Sequence, residues 1–480
     1  MPNDQERTRF TPLVSEPPTR QSSSRQNRIG RTRRRDPAAS DAGRRAGTVN
    51  RTRSQTRSMN APAGRQNPQA GAYGSARGNQ AASTVGRRSG RRIQKARKTP
   101  ALFAFSNRGE SNFNLMACTI VLMVFGAMMV TSSSYSYAYT MIGDSLYFFK
   151  RQMIWLIVGM IAMLLVMALA RMDWIRKWSF VIYVASVFFC VLVLFIGNTV
   201  NGSTRWLGIG DIVTFQPSEF AKLAVVLYIS NLVENHREDI TKLRTFIFLL
   251  GVVALPAGLV AIENLTSGVI IAVIGVVIMY LGGVSYRHLL GALAVGLAFL
   301  ALFLIAPRII PALADYSYRL LRVQAWLDPF QYALDDGYQT VQSLYAVGSG
   351  GLFGRGLGQS IQKLGFIPEA YNDIIFAIIC EELGLFGAAV VVILFSVFTW
   401  NGVKVSLNAP DRYTSYVSAG IVGQISLQAI LNIAVNTNLI PTTGVSLPFI
   451  SYGGSSMLFL MASVGLVLNI SSYSKQDVKA

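Results

Sequence analysis

Residues 368–399 read PEAYNDIIFAIICEELGLFGAAVVVILFSVFT, and the reading of this stretch decides the fold. Two carboxylates four residues apart, Glu369 and Asp373, close a polar loop. An apolar run then begins at Ile374 and continues to Thr399 with only Glu381 and Glu382 to break it. A run of this length crosses the hydrocarbon of a bilayer as a helix. Asp373 then stands at its N-terminal mouth, where the helix dipole favours a carboxylate. Capping alone accounts for one acid. It does not account for the cations Arg319, Arg322, Arg355 and Lys363 in the preceding loop, which suit a phosphorylated ligand beside a base. Glu381 and Glu382 lie about two turns further on, and charges at such depth face a bundle interior as support for a site or as a proton path.

The rest of the chain has the same character. Of 480 residues 51% are hydrophobic and only 14% charged, and the mean hydropathy is +0.38, which places the protein among polytopic membrane proteins. The net charge of +20 belongs to one end. Residues 1–108 hold 24 Lys and Arg against 5 acids, whereas residues 109–480 hold 20 against 19. The first 108 residues lack aliphatic periodicity and cannot bury enough surface to offset ordering entropy, so they read as a disordered, Arg-rich cytoplasmic tail. Its clusters Arg31–Arg35 and Arg87–Lys98 suit an anionic inner leaflet, at roughly 1 kcal/mol per well-placed cation. With no folded module and no aromatic interleaving, nucleic acid is not the expected partner. Cys118, Cys190 and Cys380 lie in apolar runs without CxxC spacing, and His236 and His288 are the only histidines. Disulfide, zinc and His-based triad chemistry are therefore not expected, and a general base must be an acid.

Residues 109–480 divide into ten apolar runs, near 113–131, 152–170, 178–197, 218–233, 245–262, 268–283, 289–306, 374–399, 413–435 and 455–472. The fourth carries Glu219 and Lys222, and the sixth is short and Gly-rich. The expected architecture is an all-α, ten-span membrane protein. An even count puts both termini on one side, and the short loops on the side of the basic tail, with the last eight residues, hold eleven Lys and Arg against three on the other. The positive-inside tendency makes the tail side cytoplasmic. The segment 307–373, between spans seven and eight, is then a large outer loop. A loop this long in a compact bundle is functional or disordered, and Trp326, Tyr332, Tyr338, Tyr345 and Phe353 argue for order.

Three further polar islands fall on the outer side. Residues 201–206 (NGSTRW) lead to 216–222 (QPSEFAK), where a turn and a capped helix start explain Pro217 and Ser218. They leave Lys222 unexplained, one turn inside an apolar run with Glu219 as its partner. Residues 263–268 (ENLTSG) read as a tight turn. Residues 436–454 (NTNLIPTTGVSLPFISYGG) hold Pro441 and Pro448 and cannot be an ordinary helix. Such backbone at membrane depth is tolerated only where protein or a watery cavity satisfies it, so a re-entrant segment is expected. The glycines Gly348, Gly350, Gly351, Gly354, Gly356 and Gly358 look like a phosphate cradle but lack the Walker pattern.

Taken in order, NGxxRW, QPSEFAKL, GYQxxQS, the glycine cluster, QKLGFIPEAYND, IIFAIICEELG and PTTGVSLPFISYGGSS resemble the SEDS family, ten-span peptidoglycan glycosyltransferases that polymerise lipid II. The resemblance covers about residues 110–472 and leaves out the tail. QKLGFIPEA is closer to the division-type, FtsW-like branch or the related sporulation type than to the elongation-type RodA branch. Two departures stand out: many members have PDLGTA at 263–268, and His-Thr-Asp at 371–373.

The resemblance implies that Asp373 is the essential acid, acting as general base while an acceptor hydroxyl attacks the anomeric carbon of a lipid-pyrophosphate donor with inversion. It further implies substrate-binding roles for Arg205, Lys222, Arg355 and Lys363 as cations for the leaving pyrophosphate. Glu219 is expected as the partner of Lys222, and Glu369 as an acid that orients one of these cations or helps hold a divalent ion. A divalent cation, Mg or Mn, is expected by the same analogy with no ligand motif to locate it, and no organic cofactor is expected. Expected partners are lipid II (undecaprenyl-pyrophosphate-linked disaccharide), a single-span class B penicillin-binding protein, other division proteins, and anionic lipid for the tail. The rival from another class is a lipid II flippase, for which intramembrane charge and broken backbone also serve. The clustering of polar islands on the outer side favours the enzyme.

Overall fold

The computed structural model describes residues 109, 111–200, 203–209, 213–309 and 318–473; the expected disorder of residues 1–108 lies outside the described residues. The helices are α1 (Phe113–Ile142), α2 (Tyr147–Leu169), α3 (Met172–Ile196), α4 (Pro217–Asn235), α5 (Leu243–Glu263), α6 (Leu265–Leu281) and α7 (Tyr286–Ile309). They are followed by α8 (Tyr318–Leu327), α9 (Tyr338–Ser349), α10 (Ile375–Leu407), α11 (Arg412–Asn436) and α12 (Gly454–Ser471). A helix stands at each expected apolar run. Among the described residues seven of them, α1, α2, α3, α5, α10, α11 and α12, are long and apolar enough to cross a membrane. The two runs singled out above fall short: α4 because Glu219, Lys222 and Glu234 interrupt it, and α6 because it has 17 residues. The count of ten spans therefore stays an expectation.

The bundle is assembled from close helix pairs, α2 with α12, α3 with α4, α5 with α6 and α10 with α11, while α1 packs on α10. The tight connection expected at 263–268 is a single buried residue: Asn264 links α5 to α6 and caps α6 by accepting from the Ser267 N–H at 3.0 Å, and Gly268 lies against the Ala257 carbonyl. Ahead of α4 the chain does more than turn. Strands β1 (Asn198–Val200), β2 (Ser203–Ile209) and β3 (Val213–Phe215) form a small antiparallel sheet in the order β1-β2-β3, which corrects the expectation of a plain turn there.

The long loop between α7 and α10, expected on the outer side, is ordered through its described part, as its aromatic residues suggested. It carries α8 and α9 and is tied to the C-terminal end of α11: Trp326 Nε1 donates to the Asn438 carbonyl at 3.0 Å and Ser343 Oγ to the Asn436 carbonyl at 2.9 Å.

The glycine cluster of this loop meets a break in α10. Gly384 has φ 67° and ψ −161°, a conformation open almost only to glycine. The break exposes backbone groups that a continuous helix would pair internally. Loop backbone satisfies them. The Glu381 and Glu382 carbonyls accept from the N–H groups of Arg355 and Gly356, both at 2.9 Å. The N–H groups of Leu385 and Phe386 donate to Gly351 and Leu352 at 2.9 and 3.1 Å. A Cβ at Gly354 would collide with the Glu382 carbonyl, and one at Gly384 with the Gly354 nitrogen. The glycines thus serve close backbone approach. Gly384→Ala combines the φ strain with this collision and is expected to cost more than about 1–3 kcal/mol, read as a lowered thermal midpoint of the detergent-solubilised protein.

Residues 437–453 form no helix between α11 and α12; most of 445–451 is buried, while Leu439 is 69% exposed.

Candidate functional site

Asp373 ends the outer loop immediately before Ile374, the N-cap of α10, and is half-buried. The turn leading to it is strained and anchored. Glu369 has φ 48°, and its carbonyl accepts from the Asn372 N–H at 2.9 Å. Tyr371 is buried among rings from three elements: Tyr137 of α1 at 5.7 Å, Phe148 of α2 at 4.3 Å and Tyr452 of the irregular segment at 5.8 Å. Its carbonyl accepts from the Tyr452 N–H at 3.0 Å. Burial, and after it the charge of Glu369, hold the Tyr371 phenol far above the usual tyrosine range, so it is neutral and serves as an anchor.

Asp373 itself is gripped through its backbone. Its carbonyl accepts from Asn432 Nδ2 at 2.8 Å and Asn436 Nδ2 at 3.0 Å. Asn436 Oδ1 accepts from the Ala377 N–H at 3.2 Å, so the first turn of α10 is capped from α11. The aspartate was expected at the mouth of this helix. It is there, with a neighbour performing the cap.

Asn432 also donates to the Val445 carbonyl at 2.7 Å, and Gln428, one turn earlier, donates to the Ser446 carbonyl at 3.2 Å. Gln428, Asn432 and Asn436 thus form a ladder at four-residue spacing along α11, all buried, which satisfies the carbonyls of the irregular segment and of Asp373. Sequence reading missed this ladder, because the amides disappear into an apolar average. Their period of four was the available signal. The same ladder meets Lys222, which is 2% exposed. Its ammonium is 2.6 Å from Glu219 and donates to Gln428 Oε1 at 3.2 Å. Lys222 and Asp373 therefore contact adjacent rungs of α11, about 6 Å apart along its axis.

Arg355 and Lys363 face elsewhere, onto the broken part of α10. Lys363 Nζ lies 2.7 Å from Glu382 and donates to Ser132 Oγ of α1 at 3.0 Å. Ser132 Oγ donates to the Glu382 carboxylate at 2.7 Å. Glu381 accepts from Ser360 Oγ at 2.5 Å and from the N–H groups of Ile361 and Gln362 at 3.0 and 3.3 Å. The Arg355 Nε stands 3.8 Å from it, its side chain about a third exposed at 35%. Glu381 and Glu382 are the hooks on which the loop hangs. Arg205 is placed on β2. Positive φ at non-glycine residues concentrates around this region: among the described residues Glu369, Asn438 and Phe449 adopt it, a strain that clusters at functional sites. No group of three His, Cys, Asp or Glu side chains converges as a metal site among the described residues.

Residues 112–476 match the family model FtsW/RodA/SpoVE, described as cell cycle protein. Stage V sporulation protein E of Bacillus subtilis (strain 168) is 40% identical over 366 residues, which is 75% of this chain and 97% of that protein. A protein named probable peptidoglycan glycosyltransferase FtsW, from Geobacter sp. (strain M18), is 33% identical over 75% of this chain and 96% of its own. Its namesake from Thioalkalivibrio sulfidiphilus (strain HL-EbGR7) is 37% identical over 75% and 89%. Among solved structures, a chain of "Structural coordination of polymerization and crosslinking by a peptidoglycan synthase complex" shares the fold with a TM-score of 0.62 at 24% identity, over 76% of this chain and 99% of that one. The rod shape determining protein RodA of Thermus thermophilus does so with a TM-score of 0.56 at 24% identity, over 76% and 98%. By the family match and by these relatives, the chain belongs to the FtsW, RodA and SpoVE family.

Proposed function

We propose that the protein is a peptidoglycan glycosyltransferase of the cytoplasmic membrane that polymerises lipid II at the outer face. The observation that carries this reading is Asp373, an acid held by its own backbone at the meeting point of the outer loop, α10, α11 and the irregular segment, in a chain whose relatives bear that activity in their names. The acceptor hydroxyl oxygen attacks the anomeric carbon of the donor sugar from the face opposite the lipid pyrophosphate, and its proton passes to the Asp373 carboxylate. The pyrophosphate leaves with the bonding electrons and the configuration inverts. Charge growing on the leaving group calls for fixed cations. Lys222, next to Asp373 on the α11 ladder, has the best claim, with Arg355, about a third exposed, and with Arg205 of β2 behind it. Glu219 holds Lys222 in place, and Glu369 shapes the turn before the base.

Among the described residues no group of three His, Cys, Asp or Glu converges to hold a resident metal; a Mg²⁺ or Mn²⁺ would take pyrophosphate oxygens and water as its ligands. The excess of cations on the short loops of the tail side supports cytoplasmic termini and an outer site. Division or sporulation is the setting, with a class B penicillin-binding protein as transpeptidase partner, in keeping with the synthase complex that shares the fold and the sporulation relative.

The test is conversion of purified lipid II by the solubilised protein together with its transpeptidase. Long glycan on a gel supports the polymerase. Its absence, with lipid II translocation in vesicles, would replace it by the flippase.

A further inference from the structure

We infer that Asn432 and Asn436 of α11 are positioning residues for the base, fixing the direction of the Asp373 carboxylate by clamping the peptide that follows it. This rests on the reading of Asp373 as general base. The residue sits where backbone is hardest to hold. It lies outside α10, and the Ala377 N–H, which a continued helix would send back to the Asp373 carbonyl, bonds instead to the Ile374 carbonyl at 3.1 Å and to Asn436 Oδ1. The Asp373 carbonyl receives two donors from a single rigid helix, four residues apart. Two donors on one oxygen fix the plane of the 373–374 peptide and with it the backbone from which the carboxylate projects. On the other side Tyr371, pinned by Tyr452, prevents compensation.

The donor count shows how completely the amides are committed. Asn432 places both Nδ2 hydrogens on carbonyls outside its own helix, those of Asp373 and Val445. Asn436 divides its amide between the Asp373 carbonyl, the Asn432 backbone and the cap of α10. The base and the irregular segment are thereby referenced to one helix. Catalytic groups must be held to about half an ångström, and a displacement of about 1 Å costs on the order of 10²-fold.

The experiment uses the full-length protein with its transpeptidase, lipid II as substrate, and initial rates over a range of substrate concentration. Asn432→Leu and Asn436→Leu remove the donors at similar volume. Asn432→Gln keeps an amide. Asn436→Asp keeps the acceptor that caps α10 while replacing the donating NH2. Asp373→Asn is run beside them. The expected result, measured well below each variant's own thermal midpoint, is a kcat lowered about 10- to 100-fold in both Leu variants and in Asn436→Asp, with KM near wild type, a lowered thermal midpoint because buried carbonyls lose their donors, and partial recovery of kcat in Asn432→Gln. Should a Leu variant fail to fold, Asn436→Asp and Asn432→Gln decide. Wild-type kcat in the folded variants while Asp373→Asn is inactive would overturn the clamp and leave the base standing. A loss of kcat that only tracks the thermal midpoint would reduce the amides to structural glue and overturn it too. An active Asp373→Asn would instead overturn the reading of the base.

Discussion

Asp373→Asn and Asp373→Ala are expected to yield folded protein that makes little or no glycan from lipid II, with the initial rate down by about 10²- to 10⁴-fold, the range a positioned base supplies. Folding should survive because two hydrogen bonds that place residue 373 use its carbonyl, which every substitution retains, and because α10 is capped by Asn436. Asn preserves the shape of the carboxylate and removes its basicity, so Asn and Ala should be equally inactive if proton transfer is the role. Recovery in Asn but not Ala would point to a carboxylate that only hydrogen-bonds substrate. Wild-type rates in both would remove Asp373 from the chemistry. Gel filtration and thermal midpoint, measured on the same samples, separate loss of chemistry from loss of fold.

Much of this arrangement was legible before any coordinates. The helices follow from apolar run length, which the bilayer fixes physically, and the irregular stretch 437–453 follows from Pro441 and Pro448. Asp373 stands out because an acid at the mouth of a span needs a reason. What escaped was pairing over distance. The glycine cluster resembled a phosphate cradle because glycine records only that backbone must approach something. That the partner is the broken helix at Glu381–Phe386 depends on a contact across some thirty residues, visible in the hydrogen bonds of Arg355, Gly356, Leu385 and Phe386. The amide ladder escaped for a different reason: Gln428, Asn432 and Asn436 are buried in a helix whose average is apolar, and only their period of four marks them. Sheet β1-β2-β3 was hidden because two of its strands, β1 and β3, have only three residues each.

The cations illustrate the same limit. Sequence supplies Lys222, Arg355 and Lys363 as equals, since each is a positive charge expected near the outer face. The structure separates them by partner. Lys222 meets the ladder that also holds Asp373, whereas Lys363 is enclosed with Glu382, the two side chains 7% and 0% exposed.

Lys363→Met is expected to destabilise the protein strongly, because it leaves the Glu382 charge buried with only the Ser132 hydroxyl to answer it. Breaking a buried pair from one side costs about 3–5 kcal/mol. Glu382→Gln should cost a similar amount for the mirror reason, leaving an ammonium without its carboxylate. The double variant Lys363→Met, Glu382→Gln removes both charges while keeping an acceptor for Ser132, so it should be far more stable than the two losses combined; contacting residues deviate from additivity by about 0.5–3 kcal/mol. Thermal midpoints of the four proteins test this, and polymer formation by the double variant then assigns the lysine. If the ammonium only locks the outer loop to α1 and α10, activity returns with stability, which is the result its geometry favours. If the ammonium also serves the leaving pyrophosphate, the double variant stays folded and slow. Additive losses in the midpoints would mean that the pair is not a unit, and the loop would then have to be held chiefly by Glu381 and the backbone exchange around Gly384.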